Sequence, residues 1–139
     1  MIGMGNRVRG DDAAGLAVAD GLRSTESLAL QGDPTSAIDR WCDFDRVVLV
    51  DATRSGRTPG AITRLSRSEI TTVSPGPPRF AGTHSIGPVE LIRLAEVLGV
   101  LPATIEVIGI EAESFAHGAA LSRPVSESVA RMIEELDHA

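Results

Sequence analysis

Three short segments of this chain carry the side chains that could do chemistry. Gly3-Met4-Gly5-Asn6-Arg7-Val8-Arg9-Gly10-Asp11-Asp12 is a glycine-rich turn ending in paired aspartates. Val47-Val48-Leu49-Val50-Asp51-Ala52 is an apolar run with an aspartate at its carboxyl end, and Gly82-Thr83-His84-Ser85 sets a histidine just ahead of an amphipathic stretch. Asp12, Asp51 and His84 together offer two carboxylates and one imidazole. That donor set suits a divalent metal, or a site that activates water for hydrolysis. Each residue also has a plainer use. Asp11 or Asp12 can cap a helix N-terminus, Asp51 can be an ordinary strand-end turn residue, and His84 can simply start a helix. The set outweighs these uses because open α/β sheets bind ligands at the carboxyl ends of their strands, where strands one and three are usually neighbours.

The elements that must position these groups read as one α/β domain spanning residues 1–139. Residues 12–23 form a helix with apolar positions at Leu16, Val18, Ala19 and Leu22, and residues 27–32 form a short strand. Residues 34–41 form a short helix, and residues 45–51 the strongest strand, apolar on both faces as in the centre of a parallel sheet. The link from there to a strand at 61–65 is too short for a crossover helix, so those two strands are expected to pair antiparallel. Residues 71–82, with Pro75, Pro77 and Pro78, read as irregular loop. A helix at 86–98 stops at Gly99, a good residue just past a helix end. A buried strand at 104–110 and a helix at 124–137 complete the pattern. The expected fold is a three-layer α/β/α sandwich around a mixed, mostly parallel sheet of about five strands. Strand one, only Met1 to Met4 before the turn, reads as truncated at its N-terminus.

Composition narrows the function. A net charge of −6 disfavours nucleic acid, whose phosphates want a basic face. With no tyrosine and few other aromatics there is no base-stacking platform. The sequence holds no apolar run of about 18 residues and so no membrane span. A single cysteine, Cys42, precludes an internal disulfide, fits a reducing cytoplasm and is expected to pack in the core. The glycine turn departs from a dinucleotide fingerprint, because Val8 stands where the third glycine belongs. A serine-nucleophile elbow and a zinc-binding H-E-x-x-H helix are both missing. Gly5, Asn6 and Asp11 in the turn, and Glu113 after the last strand, are candidate substrate contacts bordering the same crevice.

Taken in order, these segments resemble the hydrogenase maturation proteases, and the resemblance covers nearly the whole chain. Gly3-Met4-Gly5-Asn6 with Gly10-Asp11-Asp12 is similar to the family's opening turn, and Arg46-Val47-Val48-Leu49-Val50-Asp51-Ala52 to its central strand. Thr83-His84-Ser85 is similar to its histidine segment, and Gly109-Ile110-Glu111 through Glu113-Ser114 and Leu121-Ser122 to its closing pattern. One departure is Ala13, where the family usually has glycine. The resemblance implies a cytoplasmic endopeptidase that trims the C-terminal tail from the large-subunit precursor of a nickel–iron hydrogenase. It implies further that Asp12, Asp51 and His84 contact nickel carried by that precursor. The expected protein acts as a monomer, without nucleic acid or membrane. Two rivals use the same residues: a nickel-handling or assembly module that does not cleave, and a small nucleotide-binding regulator built on the glycine turn.

Overall fold

The computed structural model describes residues 1–72 and 86–138. Among these residues five strands form one sheet: β1 (Ile2–Gly5), β2 (Leu28–Gln31), β3 (Arg46–Thr53), β4 (Ile62–Ser66) and β5 (Thr104–Glu111). Four α-helices accompany them among the described residues: α1 (Ala14–Gly21), α2 (Arg67–Thr72), α3 (Pro88–Leu98) and α4 (Arg123–Asp137). Two 3-10 segments, Gly10–Ala13 and Pro34–Asp43, lie in the connections after β1 and β2. The sheet order is β2-β1-β3-β5-β4, parallel except for β4.

Alternation along the central strands sorts the core into two halves, because successive side chains leave a strand on opposite faces. Val47 and Leu49 of β3 and Ile105 and Val107 of β5 meet Ile70 of α2, Leu91, Ile92 and Ala95 of α3, and Trp41 of the second 3-10 segment. Val48, Val50, Ile108 and Ile110 meet Ala14 and Val18 of α1 and Val125, Val129 and Met132 of α4. Helices therefore cover both faces, as the sequence implies for a doubly apolar strand. Gly99, in the left-handed conformation, ends α3 as expected.

Sequence and structure diverge at four places. β4 is antiparallel, but its neighbour is β5 rather than β3, with Ile62 opposite Ile110 and Ser66 opposite Glu106. The short link after β3 carries the chain past the strand position that β5 later fills, and a link's length says nothing of a strand that enters from later sequence. Arg67–Thr72 is helical where its last residues were expected in a loop. The first helix is split, with a 3-10 turn holding both aspartates before α1 begins. Cys42 is exposed, its thiol 3.5 Å from the Asp39 carbonyl, because the 3-10 geometry aims Trp41 inward in its place. At the amino-terminal end of the sheet, Met1, Ile2, Leu28, Trp41, Phe44 and Val47 line an apolar cleft, far from the aspartates.

Candidate active site

The carboxyl edge of the sheet gathers Asp12 and Asp51. α1 reaches that edge because two glycines let it lie directly on the strands. A Cβ on Gly3 would collide with the Gly15 carbonyl oxygen, and one on Gly15 with that of Val50. Gly5 completes the approach. It holds a φ of 143°, and a Cβ there would collide with the Asp12 carbonyl oxygen. Only glycine allows that contact. The turn is then laced by its own amides. The Asn6 N–H donates to the Asp12 carbonyl at 3.2 Å, the Asp12 N–H to that of Arg9 at 3.1 Å, and the Arg9 N–H to that of Asn6 at 3.3 Å. The Asn6 side-chain oxygen accepts from the Val8 N–H at 3.0 Å. Gly5 and Asn6, expected as substrate contacts, are thus seen positioning Asp12.

Asp51 arrives from the other side, on β3 beside β1, where Gly3 pairs with Val50. It shares the parity of Val47 and Leu49, so its side chain leaves the sheet on the face that α3 covers. Both acids are buried: Asp12 is 4 % exposed and Asp51 5 %. The Asp12 carboxylate has the Arg9 guanidinium at 3.3 Å. Burial raises its pKa above the ordinary aspartate value, and the Arg9 charge offsets part of the rise. Among the described residues the Asp51 carboxylate accepts one hydrogen bond, from the Ala52 N–H at 2.8 Å. Its pKa is pushed well up, first by burial and then by the charge of Asp12, with the Ala52 N–H opposing. Two like charges in a place of low dielectric favour either a shared proton or a shared cation.

Asp11, next in line, has a different occupation. Its Oδ2 accepts from the Glu113 N–H at 2.8 Å, the Ser114 N–H at 3.1 Å and the Ser122 hydroxyl at 2.8 Å, while its Oδ1 accepts from the Ser122 N–H at 2.7 Å. Its own N–H donates to the Ser114 carbonyl at 2.9 Å. It does not cap α1; it ties residues 113–122 to the opening turn. Glu113, a candidate substrate contact, lends this clamp its backbone and leaves its side chain exposed. Glu111, at the end of β5, is a similar tether, accepting from the Ser55 N–H at 2.9 Å, from the Ser55 hydroxyl and from the Thr53 hydroxyl at 3.2 Å. His84 lies outside the described residues. Among the described residues no three His, Cys, Asp or Glu side chains converge to hold a metal, and the described part of the candidate site is the acidic pair.

Sequence reasoning missed one feature altogether. The Phe115 ring has the Arg54 guanidinium 4.5 Å from its centroid and that of Arg9 5.3 Å away. Residues so far apart in sequence carry no local signal of the contact.

Solved structures with this architecture agree with one another. A NiFe hydrogenase maturation protease HybD from Thermococcus kodakarensis is 26% identical, with 99% of this chain and 95% of that chain covered and a TM-score of 0.80. The maturation protease HycI from Thermococcus kodakarensis KOD1 is 24% identical, with 99% and 88% covered and a TM-score of 0.77. The hydrogenase maturating endopeptidase HybD from E. coli is 18% identical, with 97% and 86% covered and a TM-score of 0.71. At the lower identities the likeness shows the fold alone. No curated protein sequence matches the chain. The family model of the hydrogenase maturation proteases matches residues 33–138, a stretch that includes Asp51 and the whole segment clamped by Asp11, and the chain belongs to that family.

Proposed function

We propose that this protease uses Asp12, Asp51 and His84 to engage the nickel carried by its precursor substrate, and cleaves the peptide bond that frees the tail. The activity itself comes with the family: an endopeptidase of hydrogenase maturation that removes the C-terminal peptide from the large-subunit precursor. The observation that supports the nickel reading is the acidic pair. A buried carboxylate with a single hydrogen bond from the described residues, beside a second carboxylate, is costly unless a further donor, a cation or a proton joins it. Nickel accepts carboxylate oxygen and imidazole nitrogen. A nickel-loaded precursor therefore matches the pair, and an unloaded one lacks the group that neutralises it.

For the hydrolysis, the raised pKa of Asp51 places its carboxylate nearer the working range of a general base than an ordinary aspartate. Water attacks the scissile carbonyl carbon, a carboxylate takes the water's proton, and that proton passes to the amine of the departing tail. The single cysteine fits action in the cytoplasm, and a monomer suffices because one chain supplies all three groups. Among the described residues no helix is long and apolar enough to cross a membrane.

The test is mass spectrometry of nickel-loaded and nickel-free precursor after incubation with the protein. The loaded form should lose its tail and the unloaded form should not. Equal cleavage of both would sink the nickel reading. Binding of loaded precursor without shortening would favour the carrier rival. Removal of the imidazole by His84→Ala should abolish cleavage while the fold persists, and full activity would take His84 out of the site.

A further inference from the structure

We propose that Arg54, stacked on Phe115 beside the acidic pair, is a specificity contact for a carboxylate on the precursor's tail; this rests on the protease reading above. Arg54 is the first residue after β3, three positions beyond Asp51, at the edge where substrate must approach. Its backbone is not loose. The next residue, Ser55, donates its N–H to Glu111 at 2.9 Å.

The ring it rests on is fixed as well. Asp11 holds the N–H groups of Glu113 and Ser114, and the Ser114 side chain accepts from the Ala116 N–H at 3.1 Å. Phe115 sits between these anchored residues. Its ring takes the Arg54 guanidinium at 4.5 Å, well inside the range of a cation–π contact.

The two arginines on this ring differ in what else they do. Arg9 is half-buried and its charge is spent on Asp12, at 3.3 Å. Arg54 is exposed and has no carboxylate partner among the described residues, although Glu113 stands exposed only two residues from Phe115. A guanidinium whose carbon lies 4.5 Å over a ring centroid can still present N–H groups outward, and that planar fork fits a carboxylate bidentately. A cation with no carboxylate partner among the described residues, at the rim of a site whose floor is two carboxylates, has a clear use. It offers an anionic part of the substrate a favourable place beside an acidic pair that would otherwise repel it, in a chain of net charge −6. The carboxylate has two sources, an acidic side chain of the tail or the tail's own terminus, and both present the same group.

The experiment measures binding of synthetic tail peptide by calorimetry alongside cleavage of nickel-loaded precursor, for wild type, Arg54→Lys and Arg54→Gln. Arg54→Gln should weaken peptide binding about tenfold and raise KM by a similar factor, with Arg54→Lys between, as for loss of a charge-assisted pair. Added salt should weaken wild-type binding and leave the Gln variant little changed. Amidating the peptide's carboxyl end identifies the terminus as the source if it reproduces the Arg54→Gln loss. Replacing its Asp and Glu by Asn and Gln identifies the side chains if that does so. If neither peptide change nor Arg54→Gln alters affinity, the proposal is overturned. A loss confined to kcat and thermal stability overturns it too, and makes Arg54 a prop for the loop. Failure of wild type to cleave, with Arg54-dependent peptide binding intact, would count against the protease reading and leave the carboxylate site standing.

Discussion

Two groups of buried carboxylates share the carboxyl edge of this sheet and are treated in opposite ways. In the clamp, Asp11 receives three backbone N–H groups and a hydroxyl, and Glu111 receives one N–H and two hydroxyls. In the pair, Asp51 receives one N–H and Asp12 one guanidinium from the described residues. Sequence spacing does not distinguish them: Asp11 and Asp12 are adjacent, and both are buried. The proposed function of the pair and the tethering role of the clamp rest on the number of donors that the described residues aim at each acid. A saturated carboxylate is a tether, whereas an under-supplied one waits for a cation or a proton.

The sharpest break between the two groups is in catalysis. Asp51→Asn keeps the shape and removes the charge. We expect cleavage of nickel-loaded precursor to fall about 10³-fold, the scale for losing a positioned acid–base or charge-bearing group, with the fold unchanged. Single-turnover cleavage and circular dichroism check it. Activity within a few-fold of wild type would remove Asp51 from the site. Asp11→Asn should do the reverse, costing about 2–4 kcal/mol of stability in urea unfolding, because a buried network loses one partner and leaves amides unpaired. Activity would fall only as far as the loop from Glu113 to Ser122 loosens. A variant as stable as wild type would mean that the clamp is ornamental.

The chain states some of this plainly and hides the rest. β3 is legible because Val47, Val48, Leu49 and Val50 are apolar on both faces, and Asp51 ends it where α/β sheets bind ligands. Gly99 marks the end of α3 because only a left-handed residue fits there. The clamp is not legible, since Asp11 meets Ser122 across 111 residues of chain and a capping reading is locally just as good. The place of β4 beside β5 is hidden for a similar reason: its partner strand comes later in the sequence than the link that seemed to decide its pairing. The Arg54–Phe115 stack joins two loops, and loops carry no periodicity to read. Contacts set by local backbone preference were readable, and those set by long-range closure were not.

Within the clamp, a smaller effect tests how the load is shared. Glu111→Gln retains size and one acceptor oxygen for the Ser55 N–H but loses the charge. The expected cost is about 1–2 kcal/mol, the difference between charge-assisted and neutral hydrogen bonds at a buried position. Chemical denaturation measures it. A loss as large as that of Asp11→Asn would show that the two tethers act as one network, and a double variant would then cost less than the sum of the singles.

The last difference between tether and pair lies in pH, and its sign follows from burial. The folded pKa of Asp51 is raised above its unfolded value, so the native state binds a proton more tightly than the unfolded chain. Its contribution to stability is fully present below the ordinary aspartate pKa and is lost as pH rises through the folded value. The amide that replaces the carboxylate in Asp51→Asn carries no such charge. The variant's Tm should therefore match wild type near about pH 4 and exceed it by on the order of a few °C near about pH 8. Calorimetry across that range, without metal, reads the gap directly. A gap that closes as pH rises would mean that Asp51 is stabilised as a carboxylate by donors, like Asp11, and the contrast between tether and pair would fail. A gap that widens identifies the strain the wild-type protein carries at neutral pH, which a cation brought by the precursor would relieve on binding.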